Sequence, residues 1–372
     1  MAPLRIGVNA LYLIPGGVGG TEIYLRSLLH AMAEIDRTNT WLVFTNRETG
    51  TGLAPRCPNF EVFVQPVPAR VRPARIVWEQ LILPFQASSR RLDVLFNPGF
   101  TGPAFAPCPS VTVFHDLQHK RHPEYFRWFD RPFWRFFLYL SAMRSRALIA
   151  VSETTRQDLL AFYRLPRAKV HVVPHGVDPR MFEVARERNA SRLGRYLLCV
   201  STLHPHKNID RLLHAFQAFR REQPEFRLVL AGLRGFHTRN TERLVRELDL
   251  GDAVEITGWI PRQDLYRLFR EAWAFIYPST FEGFGMPVVE ALAAGVPVAC
   301  SAIEPLSTIS GAAALHFDPE STDAIRDALV RVTSDESLRS RLAVEGPLRA
   351  AGFSWREAAA RTLEVLVQAA GG

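Results

Sequence analysis

Short runs of β-branched and aromatic residues alternate with longer stretches of helical periodicity along the whole chain, and the alternation runs through twice. The first half contains "RIGVNA", "WLVFTN", "EVFVQPV", "DVLFNPG", "SVTVFHD", "LIAVSE" and "KVHVVPHG". The second contains "YLLCVST", "RLVLAG", "AVEITGW", "AFIYPST", "GVPVACS" and "ALHFDP". Strands separated by crossover helices build a parallel sheet covered on both faces. A length of 372 residues exceeds one ordinary core. The expected fold is therefore α/β, with two doubly wound Rossmann-like domains and a cleft between them. The polar stretch "GVDPRMFEVARERNASRLGR" has no strand signal and marks the seam. It predicts an N-terminal domain over 1–178, a C-terminal domain over 179–354 and a final helix over 355–372. That helix is capped by Ser354, with Glu357 three residues on, and is expected to pack back toward the N-terminal domain.

Ligands of open parallel sheets bind beyond the carboxyl ends of the strands, so the residues just after each run are the ones to inspect. After the first run, Gly16-Gly17-Val18-Gly19-Gly20 lets a backbone approach a ligand closely. Thr21 is expected to cap the following helix, which would make a phosphate cradle; a merely flexible turn is the alternative. The loop matches neither GxGxxG nor a P-loop. After the fifth run come His115 and Asp116, with His119 and His122 following. They read as ligand-facing groups, as a structural polar cluster or as metal ligands, although no HExxH accompanies them. At the start of the second domain, Ser201, Thr202 and Lys207 lie between a strand and a helix, in a loop stiffened by Pro205. A lysine there offers a point charge to a diphosphate, against the alternative of a solvated loop lysine.

The stretch "YPSTFEGFGMPVVEALAAGVPVACS" sets Glu282 and Glu290 eight positions apart across Gly283, Phe284, Gly285 and Met286. Pro287 suits the first position of a helix that Gly295 ends. Glu290 then lies one turn inside, where the helix dipole favours negative charge, and can accept from two neighbouring hydroxyls such as those of a ribose. Glu282 and the amides of Phe284, Gly285 and Met286 are placed to hold further hydroxyls.

Basic excess bounds the partners. Net charge is +8 and the isoelectric point about 9.7, which fits nucleic acid, an anionic membrane or nucleotide phosphates. The excess is mostly arginine spread along the chain, without a basic block or a nucleic-acid-binding module. Cys57, Cys108, Cys199 and Cys300 show no CxxC spacing and read as reduced thiols of a cytoplasmic protein. Gly7 and Asn9 interrupt the apolar N-terminus, so it reads as a strand rather than a signal peptide, and no run is long enough to cross a membrane.

In order along the chain, "GGVGGTEIYL", "VFHDLQH", "VSETTRQDL", "VVPHGVD", "VSTLHPHKNIDRLLHAF", "LVLAG", "ITGWIPRQDLYRLF" and "PSTFEGFGMPVVEALAAGVPV" resemble a retaining glycosyltransferase of the GT-B fold, family 4, of the group 1 type. The resemblance spans nearly the whole chain. It implies that Gly16 and Gly17 approach the donor diphosphate and the acceptor, and that His115 binds the donor sugar. It further implies Lys207 on the diphosphate, Glu282 with Gly283, Phe284, Gly285 and Met286 on the transferred sugar, Glu290 on the ribose, and Trp259 and Ile260 at the base. Transfer with retention, without a cofactor or required metal, is implied as well. One departure stands out. Where many members have an arginine beside the diphosphate, this chain has Ser201-Thr202-Leu203, so the charge falls to Lys207, His204 or His206. The "STLHPHKN" variant resembles mannosyltransferases of surface-polysaccharide assembly, which makes mannose the expected sugar. A nucleotide-sugar epimerase or hydrolase, or a degenerate nucleotide-sugar binder, is the alternative. The segment 125–148 interleaves arginines with nine aromatic residues. It reads either as a buried helix or as a peripheral contact with an anionic membrane, where lipid-linked acceptors reside.

Overall fold

The structure, a computed structural model, describes residues 2–17, 19–125 and 131–371. Val18 of the glycine loop and 126–130 of the aromatic segment lie outside the described residues. All thirteen expected runs are strands. In the first sheet they are β1 (Arg5–Asn9), β2 (Thr40–Thr45), β3 (Phe60–Val64), β4 (Val94–Asn97), β5 (Ser110–Phe114), β6 (Ala147–Ala150) and β7 (Val170–Val172). In the second they are β8 (Tyr196–Val200), β9 (Arg227–Ala231), β10 (Val254–Gly258), β11 (Ala274–Tyr277), β12 (Val298–Ser301) and β13 (Ala314–Phe317). The spatial orders are β3-β2-β1-β4-β5-β6-β7 and β10-β9-β8-β11-β12-β13. Each pairing is parallel.

Strands β4, β5, β11 and β12 are buried along their whole length, as expected where helices cover both faces of a sheet. In both sheets the chain starts at the middle, walks to one edge and then returns to build the other side. The switch falls between β1 and β4 in one sheet and between β8 and β11 in the other, where successive loops diverge and leave room for a ligand.

The chain divides into two compact units, one of residues 1–176 with 354–372 and one of 177–353. The helix Trp355–Gly371 packs on the helix Gly20–Ile35 of the first unit. Ser354 Oγ accepts from the Arg356 N–H at 3.2 Å, and Arg361 Nη2 donates to the Val172 carbonyl at 2.5 Å. Gly176 permits this docking, because a Cβ there would strike the backbone nitrogen of Trp355.

Two helix starts differ from expectation. The first helix begins at Gly20 with Gly19 as its N-cap and no side-chain cap, so Thr21 is already inside it. Gly19 reaches φ 60°, and the turn is made by backbone freedom rather than by a hydroxyl. Likewise Met286, not Pro287, is the first residue of Met286–Ala293, behind Gly285 at φ 101°.

Gly176→Ala is expected to destabilise the first unit by about 1–3 kcal/mol, the usual range for overpacking. A lowered melting temperature with an unchanged second unit in limited proteolysis is the expected result; an unchanged melting temperature would contradict the close docking.

Candidate active site

In the second unit, two loops at the carboxyl ends of the paired strands β8 and β11 are sewn together by one carbonyl. The His206 oxygen accepts from the Thr280 N–H at 2.8 Å, from Ser279 Oγ at 3.0 Å and from Thr280 Oγ1 at 3.2 Å. Asn208, left-handed at φ 57°, donates from Nδ2 to the carbonyls of Pro278 and Pro319 at 3.1 and 2.8 Å. Asparagine tolerates that conformation better than most residues. This stitching brings together residues 75 apart in sequence: Lys207 Nζ donates to Glu282 Oε1 at 2.6 Å and to the Tyr277 hydroxyl at 3.0 Å. The side chains of Lys207 and Glu282 are only 14% and 10% exposed. Two of the three ammonium N–H groups are thus engaged, and one remains for a ligand oxygen. Burial pushes the Tyr277 phenol well above its usual range and keeps it neutral.

Glu290 is buried in the fifth position of the helix Met286–Ala293, and it is already paired. Arg262 Nη2 donates to Glu290 Oε1 at 2.7 Å and to Asp178 Oδ2 at 3.0 Å. Tyr266 donates from its hydroxyl to the same Asp178 oxygen at 2.6 Å. Burial opposes the Arg262 charge, but Glu290, Tyr266 and Asp178 outweigh it and hold the guanidinium more firmly protonated. For Asp178, burial is outweighed by hydrogen bonds from Tyr266 and the Arg180 N–H and by Arg262, which together lower its pKa. None of Arg262, Tyr266 and Asp178 was singled out by the sequence, although Asp178 and Arg262 both follow strands at short distance. Trp259 stands 64% exposed just past β10, with Ile260 half-buried beside it.

Ser201 and Thr202 follow β8. The Ser201 N–H bonds the Ala231 carbonyl at 2.9 Å, and its own carbonyl presses on Gly232, where a Cβ would not fit. His204 does not replace the absent arginine. Burial, aided by Lys207, lowers its pKa to about 4, so it is uncharged near neutrality.

In the first unit, the Gly16 N–H donates to Glu22 Oε2 at 2.7 Å and the Gly17 N–H to the Ile14 carbonyl at 2.8 Å. Both amides expected to meet a diphosphate are therefore engaged within the chain, one of them by a carboxylate. His115, the residue after β5, is buried. Its Nε2 meets the Pro98 carbonyl at 2.9 Å, and its ring lies 4.8 Å from Tyr24, 5.1 Å from Phe100 and 5.4 Å from His175. Trp355 stacks on His175 at 5.9 Å. A carbonyl only accepts, so His115 Nε2 carries the proton and Nδ1 presents a lone pair. Burial lowers the pKa of His115 to about 4. His119 and His122 have other partners, the Tyr163 hydroxyl at 2.9 Å and Glu124 at 3.0 Å. In the helix Arg131–Arg144, Leu138 and Ala142 join the core, while Phe136, Tyr139 and Met143 are exposed.

The two parallel-sheet units have the GT-B fold. Residues 18–180 match the family model described as Glycosyltransferase Family 4, and residues 182–349 match Glycosyl transferases group 1. The chain is 30% identical over 268 residues to O-antigen chain mannosyltransferase B of Escherichia coli, covering 68% of this chain and 69% of that protein. It is 27% identical to the MMP alpha-(1->4)-mannosyltransferase of Mycolicibacterium hassiacum, over 94% and 95% of the two chains. Among solved structures, Anabaena HepE in complex with UDP and glucose aligns with TM-score 0.75 at 19% identity, over 98% and 99% of the chains. The chain belongs to the glycosyl transferases group 1 family. Among the described residues, no helix is long and apolar enough to cross a membrane.

The buried histidines give the protein an acid sensitivity of known sign. A histidine that binds its proton less readily folded than unfolded stabilises the fold fully above its ordinary pKa near 6.5 and loses that contribution toward about 4. Stability is therefore expected to fall between pH 6.5 and 4, by at most about 1.4 kcal/mol per pH unit per histidine, and the melting temperature with it. His115→Gln, which can still donate to Pro98, should flatten the slope; an identical slope in the variant assigns the sensitivity elsewhere.

Proposed function

We propose that the chain is a retaining glycosyltransferase that moves mannose from a nucleotide-sugar donor to a hydroxyl of a glycan or lipid-linked acceptor in surface polysaccharide assembly. The observation that carries this reading is the pairing of Lys207 with Glu282 beside Tyr277, on the carboxyl ends of two neighbouring strands. The names of the two mannosyltransferase relatives support the sugar, and the O-antigen relative supports the polysaccharide. The complex of HepE with UDP and glucose supports a nucleotide-linked donor.

Cleaving the sugar–phosphate bond develops negative charge on the departing diphosphate. Lys207 opposes it with the N–H not used by Glu282 and Tyr277, and helix N-terminal amides at Gly285 and Met286 add donors. Because Lys207 is pinned by two partners, little reorganisation is needed as that charge grows. Glu282 accepts from hydroxyls of the transferred sugar, supported by Gly283 and Phe284. Glu290, with one oxygen on Arg262, offers the other to the ribose. Trp259 and Ile260 flank the base, and Ser201 and Thr202 line the diphosphate. His115, neutral, contacts the donor sugar through the Nδ1 lone pair, and Gly16 and Gly17 approach the substrates once their amides are released. No metal is needed, because the ammonium and amides supply the positive field. Peripheral contact with an anionic membrane is supported by exposed Phe136, Tyr139 and Met143, spaced three and four residues apart beside Arg135.

A panel of nucleotide sugars in a thermal-shift assay tests the reading. One donor is expected to stabilise the protein, and Glu290→Ala to abolish the shift; no response to any donor sinks the proposal. With that donor, Lys207→Met is expected to lower kcat about 10²–10³-fold, whereas Glu290→Ala should act mainly through KM. An α-linked donor should give an α-linked product by NMR, and a β-linked product would refute retention.

A further inference from the structure

The first unit holds a guanidinium that no described residue matches. Arg75 lies on the helix Arg72–Val77, four residues ahead of Glu79, a spacing at which arginine and glutamate on one helix ordinarily pair. Here the chain passes into a π-helical turn, Trp78–Ile82, and the Glu79 carboxylate is occupied elsewhere. It accepts from Asn9 Nδ2, Thr101 Oγ1 and Gln80 Nε2, each at 3.1 Å. No ion pair or side-chain hydrogen bond joins Arg75 to any described residue. Its Nε is sealed from solvent without an acceptor, while its terminal nitrogens reach the surface. Burial lowers its pKa, against the pull of Glu79 and Tyr12. Arginine nevertheless stays charged in proteins, so a partly desolvated cation stands without a partner, which is costly. The other half-buried cations described above, Lys207 and Arg262, each have a carboxylate within 3.0 Å.

The position is also telling. Asn9, which ends β1, binds both Glu79 and Asn97, which ends β4, at 3.1 Å. Arg75 therefore stands beside the switch point of the first sheet, where ligands of such sheets bind. Tyr12, three residues beyond β1, lies within its field.

We propose that Arg75 anchors an anionic group, a phosphate or a carboxylate, carried by the acceptor substrate. The guanidinium fork matches both anions, and such a group would supply the acceptors that Arg75 lacks among the described residues. That the anion belongs to an acceptor rests on the glycosyltransferase reading; the anion site itself does not.

The test is thermal unfolding of the full chain without anions, then with inorganic phosphate or with glucuronate. Without anions, Arg75→Met is expected to melt no lower than wild type, and up to about 3 °C higher, because it removes an unmatched charge. Wild type, Arg75→Lys and Lys207→Met should be stabilised by phosphate, by glucuronate or by both, which identifies the anion; Arg75→Met should not respond. An Arg75→Met protein that melts lower without anions, or one that gains as much as wild type from either anion, overturns the proposal. Stabilisation by a nucleotide sugar should persist in Arg75→Met, so failure of the donor reading and failure of this one are separately visible.

Discussion

Parallel pairing throughout both sheets is the constraint on which the rest depends. It sends every strand's carboxyl end to one edge of its sheet, so that residues far apart in sequence are delivered to the same edge. In the second sheet this edge receives Ser201 to Lys207 from β8, Trp259 and Arg262 from β10, and Glu282 to Glu290 from β11. Within the loops, Leu203 and Phe284 are buried anchors. The loops are also fixed by polar links such as the three hydrogen bonds on the His206 carbonyl. Sheet topology sets where the groups arrive, and those links set the distances between them.

Charge is treated differently in the two units. In the second, the cations that bear on the site are each met by a carboxylate: Lys207 by Glu282, and Arg262 by Glu290 and Asp178. A site built of such pairs holds its cations in place without a net excess of charge. On the proposed reading, an arriving diphosphate takes the ammonium N–H that Glu282 and Tyr277 leave unused, so both contacts persist as the charge grows.

Much of this was legible because it depends on local chemistry. β-branched runs read as strands whatever they pair with, and the order of motifs placed Lys207 and Glu282 on strand-end loops and Glu290 one turn into the helix that follows. What was not legible depends on partners distant in sequence. Nothing near Glu290 announces that Arg262, twenty-eight positions earlier, will bind it. Tyr277 reads as an ordinary strand residue until the β8 loop brings Lys207 against it. The glycine loop shows the converse error: its flexibility was visible, but the engagement of Gly16 by Glu22 was not. Thr21 looked like a cap because caps are recognised by residue type, whereas Gly19 turned the backbone without one.

The histidines narrow the electrostatics further. His115 and His204 are held uncharged near neutrality by burial, so neither contributes a fixed positive charge at the strand ends. The absence of the family's arginine at Thr202 therefore cannot be offset by His204. With its N–H on the Pro98 carbonyl, neutral His115 instead offers a directional lone pair, suited to a hydroxyl donor. On the proposed reading, cationic work in the second unit thus concentrates on Lys207, whose position depends on both stitched loops. Loosening either loop would displace the ammonium from the carboxylate and phenol that orient it, which makes the polar stitching at His206 as consequential for charge placement as the lysine itself.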